Sequence, residues 1–329
     1  MRKYAAAFLV ICVLILCACQ TAPQYSTQEI FAMDTYMTLR VYDNEEVTQT
    51  LCQKIFSLEQ LLSATSENSQ LYQLNHTGCL RCSEELLTLL RQSLALCERT
   101  QGAFDISIYP VVALWGFPTD QFRVPSPEEL QNALQTVGAS HIRLLGDTVT
   151  LDKGSALDFG AVAKGYAGRL CTELLAASKA KAAILSLGGN IQTYGTKPDG
   201  DWVVGIADPT GADDYFASLR FTGTHAVVTS GSYQRYFEQD GKTYHHILDP
   251  KTGQSVDNGL LSVTVMCDDG LLADGLSTAL FVMGLEKSTE FYRQSDDFEA
   301  VFYLQDGTVY ITKGLISAYS GKEYEVIGR

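Results

Sequence analysis

Basic residues are scarce in this 329-residue chain, which carries 24 Lys and Arg against 38 Asp and Glu and a formal net charge of −14. That balance excludes a reader of nucleic-acid backbones, whose affinity rests on clustered cations that neutralise phosphates. Several phosphate and nucleophile signatures are missing too. There is no G-x-x-x-x-G-K-[ST] loop, no G-x-G-x-x-G opening a βαβ unit, and no G-x-S-x-G elbow around Thr229-Ser230-Gly231-Ser232. Cys79 and Cys82 form a C-x-x-C pair, yet no second pair or His cluster completes a zinc site, so a disulfide and two free thiols both stay open. No Pro/Ser-rich linker divides the body and no short repeat runs through it.

What is present begins with a leader. Arg2 and Lys3 precede an apolar run from Ala5 to Ala18, too short to span a bilayer comfortably, which closes on Leu16-Cys17-Ala18-Cys19. This end resembles the bacterial lipobox, with residues 1–18 as signal peptide and Cys19 as the lipidated first residue of the mature chain. An ordinary secretory leader or an uncleaved anchor is the alternative. Residues 19–28, polar and containing Pro23, read as a tether, and 29–329 as one folded domain.

The body, with 46% hydrophobic residues overall, can bury a substantial core. Met33 to Tyr42 has the composition of a first strand, and Val47, Leu51, Ile55, Leu58 and Leu62 recur at helical spacing. Further helices are predicted from Ser83 to Cys97 and from Ser126-Pro127-Glu128-Glu129, a capping box. From Thr148 onward short β-rich runs alternate with Gly-rich turns, without the strict rhythm of a parallel sheet, so the fold class is α+β.

Five clusters carry polar or glycine-rich chemistry: Gly102–Asp105, Asp158–Gly165, Leu187–Asn190, His245–Gly253 and Ala273–Thr278. Each also has a structural reading, the glycines as turn formers and Asp274 as a helix cap. Asp274 and Thr278, however, stand four apart at the start of a predicted helix, so carboxylate and hydroxyl share a face. Two hard oxygens of this kind suit Mg²⁺, which is held by few protein ligands and fills its other positions with water or substrate phosphate. An acidic chain that binds an anionic nucleotide needs such a cation. Lys164 adds a positive charge, and Gly188-Gly189 can offer backbone N–H groups to phosphate. Asp274 is expected to be a surface ligand that contributes little to the core.

Taken in order, these clusters resemble the FAD:protein FMN transferase (ApbE) family of exported lipoproteins, from Met33 to about Gly284. The resemblance includes Pro110, Trp115-Gly116-Phe117 and Thr229–Arg235. It implies a single two-lobed, T-fold-like domain of mixed, largely antiparallel sheets with flanking helices. It further implies an FAD site lined by Met33, Ala103, Phe104, Asp105, Asp158, Lys164 and Leu248. Mg²⁺ would be held by the Ala161 carbonyl, Asp274 and Thr278, with Ser277 close by. The implied reaction moves FMN from FAD onto a Thr or Ser hydroxyl of an exported acceptor protein and releases AMP, at the extracytoplasmic face of the bacterial membrane. Asp274 and His246 would carry catalysis, His246 as proton acceptor, although a histidine bonded into its own turn is the competing reading. An FAD pyrophosphatase and a non-catalytic, lipid-anchored flavin-binding protein are the alternatives. The chain departs from the family at Asp34, where Gly is usual, and at Thr65, where an aromatic is expected.

Overall fold

The computed structural model describes residues 24–329, so the leader, Cys19 and the first part of the tether lie outside it. Tyr25–Ala32 forms β1, antiparallel to β2 (Thr35–Tyr42), so the tether expected as far as Gln28 ends earlier. β1 is an edge strand whose side chains are mostly outside the core, and it lacks the apolar alternation that betrays a half-buried strand. Met33 and Asp34, expected to open the first strand, instead make the two-residue turn between β1 and β2. Their φ values of +50° and +58° are those of a twisted hairpin turn.

β1 and β2 begin a nine-stranded sheet whose spatial order follows the chain. It continues through β3 (Ala182–Leu187), β4 (Asn190–Gly195), β5 (Ala226–Gly231), β6 (Leu260–Cys267), β7 (Glu299–Leu304), β8 (Val309–Thr312) and β9 (Glu325–Ile327). Every neighbouring pair is antiparallel except β8 with β9. This is the largely antiparallel α+β architecture read from the sequence.

Helices cover one face of the sheet and build a small lobe beside it. Among the described residues they are α1 (Glu45–Leu62), α2 (Gln70–Thr77), α3 (Glu84–Arg99), α4 (Tyr109–Trp115), α5 (Pro127–Leu134), α6 (Ala163–Ala176) and α7 (Gly270–Arg293, broken at Gly284). None is long and apolar enough to cross a membrane. α1, α3 and α5 begin at Asn44, Ser83 and the Ser126 capping box, each satisfying a free N–H of its first turn.

The two-residue period of the strands separates two cores. Met37, Leu39, Val228, Ala300 and Phe302 face the helices, whereas Val227, Val301 and Tyr303 face a smaller sheet of Trp202–Ala207, Tyr215–Phe221 and Tyr319–Gly321. A third cluster of Val111, Trp115, Phe117, Leu130 and Leu248 makes a separate small lobe, tied down by Trp115 Nε1 donating to the Gly253 carbonyl at 2.8 Å. The sulfur atoms of Cys79 and Cys82 are unbonded thiols, one exposed and one buried.

Candidate functional site

A cavity of about 410 Å³ opens between the helix-covered core and the small aromatic lobe. Gathered on its walls are Met33, Ala103, Phe104, Asp105, Asp158, Ala161, Lys164, His246, Leu248, Asp274 and Thr278. The five polar clusters, up to about 175 residues apart in sequence, therefore meet in one place. Thr65 does not join them and is exposed after α1.

Turns deliver the first contributors. α3 ends with Gln101 and Gly102 in left-handed conformation, Gly102 N–H returning to the Cys97 carbonyl at 2.9 Å, which turns Ala103-Phe104-Asp105 into the cavity. Asp105 Oδ1 is engaged by Ser107 through its N–H at 2.8 Å and its hydroxyl at 2.6 Å. Two hairpin turns then lie side by side, because Met37 of β2 pairs with Leu187 of β3. A Cβ on Gly188 would sit 2.3 Å from the Thr35 side chain, so the second turn requires glycine where it passes the first. Asp34 holds φ +58° in the other turn, a conformation Asp tolerates and Gly adopts freely.

The corner around Asp274 differs from the sequence expectation. α7 starts at Gly270 with Asp269 as its N-cap, so Asp274 lies in the second turn and does not cap its own helix. Nor is it a surface group, being 4% exposed. Its Oδ2 accepts the Gly165 N–H at 2.8 Å, satisfying one of the free donors in the first turn of α6. The two helices cross closely enough for this because both carry glycine at the contact: a Cβ on Gly165 would meet the Gly270 carbonyl oxygen at 2.1 Å and Asp274 Cβ at 2.5 Å.

Thr278, one turn further on, faces the cavity as its spacing from Asp274 predicts. Ser277, expected close to a metal, is fully buried and absent from the cavity wall. Its hydroxyl donates to the Asp274 carbonyl at 2.8 Å and lies 2.8 Å from Ser230 Oγ, which is in turn 3.1 Å from Thr278 Oγ1. Ser277 thus braces the helix and acts on Thr278 only through Ser230.

Electrostatics favour a cation here. Burial pushes the Asp274 carboxyl above its ordinary range, and the Lys164 charge, the Gly165 N–H and the Asn190 amide pull the other way. Asp158 is likewise raised by burial and restrained by the Gly160 N–H, at 2.7 Å from Oδ1, and by Lys164 and Arg235. A divalent cation would offset the desolvation of Asp274. No three His, Cys, Asp or Glu side chains cluster as a metal cage among the described residues. At this corner of the wall the candidate donors are the Asp274 carboxylate, the Thr278 hydroxyl and the Ala161 segment, a sparse oxygen set that fits Mg²⁺ sharing its sphere with substrate phosphate.

The two adjacent histidines part company. His245 is buried, with Nε2 2.7 Å from the Val256 carbonyl and Nδ1 accepting the Ile247 N–H at 3.3 Å, so both nitrogens serve structure. His246 faces the cavity. Its Nδ1 lies 3.1 Å from the Arg235 carbonyl, which can only accept, so the ring proton sits on Nδ1 and the Nε2 lone pair is free. Burial first, and then His245 and the charges of Lys164 and Arg235, outweigh the Arg235 carbonyl bond and lower its pKa to about 4, so the imidazole is neutral at physiological pH. The expected turn bond and the expected free base coexist on opposite nitrogens.

Sequence reasoning gave no role to Val112, Phe117, Asn190, Gln234 or Arg235, all on the wall. Phe117 packs edge-on against His246 at 6.4 Å between centroids, and Arg235 is anchored by Asp120 at 2.8 Å and by the Phe117 carbonyl. Asn190 and Arg235 lay inside quoted motifs, but nothing in their spacing distinguished a wall residue from its neighbours.

Known proteins share this fold. The model of the ApbE family matches residues 33–302. An FAD:protein FMN transferase of Klebsiella pneumoniae is 33% identical over 291 residues, covering 85% of this chain and 89% of the relative. One from Treponema pallidum is 32% identical over 324 residues, covering 89% and 88%. The crystal structure of the ApbE protein from Thermotoga maritima superposes with a TM-score of 0.84 at 30% identity, covering 91% of this chain and all of that one. The apo flavinyl transferase ApbE of Pseudomonas stutzeri gives 0.80 at 29% identity, covering 90% and 98%. With its overall fold and most of its length in common with these proteins, this chain belongs to the ApbE family.

Proposed function

We propose that the protein transfers FMN from FAD to a Thr or Ser hydroxyl of an exported acceptor protein in a Mg²⁺-dependent reaction that releases AMP. The observation that carries this reading is the convergence, in one cavity, of the buried Asp274 carboxyl and the Thr278 hydroxyl with a neutral His246 whose Nε2 is free. The names of the relatives support the same donor and product.

In the step envisaged, the acceptor hydroxyl oxygen bonds to the FMN-side phosphorus and the bond from that phosphorus to the bridging oxygen breaks. AMP leaves with the electron pair, and the hydroxyl proton passes to His246 Nε2. Mg²⁺ held by Asp274, Thr278 and the Ala161 carbonyl would supply charge neutralisation for the diphosphate. Lys164 adds positive charge and the first turn of α6 adds N–H groups, so most of the rate enhancement is positioning and electrostatics. His246 is a weak base by itself, but an anionic diphosphate beside it raises its proton affinity, so the base strengthens when substrate is in place.

The amino-terminal pattern supports a lipid on Cys19 that holds the domain at the extracytoplasmic face of the membrane. Tyr25, the first residue of β1, stands six positions after that cysteine, a short tether. The deciding experiment incubates the mature domain with FAD, Mg²⁺ and exported candidate acceptors, then looks for flavin that stays on the acceptor after denaturation. Free FMN and AMP alone would replace transfer by hydrolysis, and tight FAD binding without AMP would replace both by a binding role.

A further inference from the structure

Asn190 opens β4 directly after Gly188-Gly189. Strand alternation puts it on the same face as Gln192, whose side chain packs at Gly168 and Gly270 where α6 and α7 cross. That face brings Asn190 to the Asp274 corner of the cavity. The residue is 5% exposed, and its Nδ2 is buried with no hydrogen-bond partner. Folded proteins leave few buried donors unpaired, and one left in a cavity wall points to a partner that a ligand supplies.

Asp274 does not take this donor fully: the amide lies close enough to interact weakly with the carboxyl and favour its charged form, but no contact of ordinary hydrogen-bond geometry joins them, and Oδ2 is already held by the Gly165 N–H. Orientation of Asp274 therefore has a backbone source. We propose that Asn190 Nδ2 donates a hydrogen bond to a non-bridging phosphate oxygen of the dinucleotide held beside Asp274, and that this bond strengthens as charge accumulates there during transfer. The inference rests on the transferase reading of the cavity and adds a substrate-contacting residue to it. A neutral amide suits the place, because a second fixed cation would compete with the metal for Asp274, and the two preceding glycines put no side chain in the way.

Asn190→Leu keeps most of the volume and removes the donor. Mg²⁺-dependent AMP release from FAD is expected to fall about 100-fold in kcat, the usual effect of losing one donor aimed at developing charge. Mg²⁺ binding to the FAD-free protein, followed by calorimetry, is expected to stay within about two-fold, because no metal ligand has changed. The melting temperature of the ligand-free protein should hold or rise, since an unpaired buried donor has been removed. Asn190→Ala, which cannot overpack, should give the same loss of kcat and the same Mg²⁺ affinity. Undiminished kcat, or Mg²⁺ affinity lost in step with kcat, or a lower melting temperature in both variants would overturn the assignment. The last two results would make Asn190 a structural support of Asp274. Failure of the wild-type protein to release AMP from FAD would instead defeat the transferase reading beneath it.

Discussion

Asp274 and His246 face the same cavity from supports of different kinds. Asp274 sits within the main core, on a helix clamped to α6 by a glycine-to-glycine crossing and braced by Ser277 and Ser230. His246 stands on a chain segment beside the hairpin of Tyr236–Gln239 and Lys242–His245, held by one carbonyl bond and an aromatic lobe. Oxygen ligands of a small cation demand near-fixed geometry. A proton acceptor needs instead the right tautomer and a neutral state, both of which a single hydrogen bond and partial burial supply. Removing a group from the first side should disturb fold and chemistry together, whereas removing His246 should, above pH 6.5, disturb chemistry alone.

The contrast is tested hardest at Asp274. Asp274→Asn keeps an acceptor for the Gly165 N–H but loses the charge, and AMP release is expected to fall by about 1,000-fold or more. Asp274→Ala should show the same loss and also leave that buried N–H unpaired. It is therefore expected to be less stable than Asp274→Asn by about 1–3 kcal/mol in chemical denaturation. Equal stability of the two variants would show that the carboxylate is not structural, as the sequence alone had suggested.

His246→Ala is expected to lower the transfer rate about 100-fold with Mg²⁺ affinity unchanged in calorimetry. Its pH signature has a definite sign. The unfolded chain takes up this proton near 6.5 and the folded chain only near 4, so the stability contributed by neutral His246 is complete above pH 6.5 and is lost as pH falls toward 4. Urea unfolding across that window should be flatter in His246→Ala than in the wild type.

Gly165→Ala probes the crossing itself. A methyl group there meets the Gly270 carbonyl, so a loss of about 1–3 kcal/mol is expected, together with weaker Mg²⁺ binding as Asp274 is displaced. A thermal melt run with and without Mg²⁺ separates the two effects. Smallest is Asp34→Gly, which relieves a left-handed Asp in the β1–β2 turn and should stabilise by about 0.5–1 kcal/mol. Destabilisation would mean that the Asp34 side chain holds the turn in place.

The sequence by itself determined a good deal of this. The pairing of Asp274 with Thr278 follows from helix periodicity, and the caps at Ser83 and Ser126 from residues that must satisfy free N–H groups. Its polar and glycine-rich clusters marked the stretches that form the wall, because backbone turns and charged side chains have few interchangeable substitutes. Only the tertiary structure decided what each residue does once there. Burial of Asp274, the choice of His246 over His245, the withdrawal of Ser277 and the recruitment of Asn190 and Arg235 all depend on how the folded chain packs, which decides what each side chain finds around it. Local periodicity encodes which face a residue occupies, whereas the partner it finds there can come from chain a hundred or more residues away, as the 109-residue span from Gly165 to Asp274 illustrates.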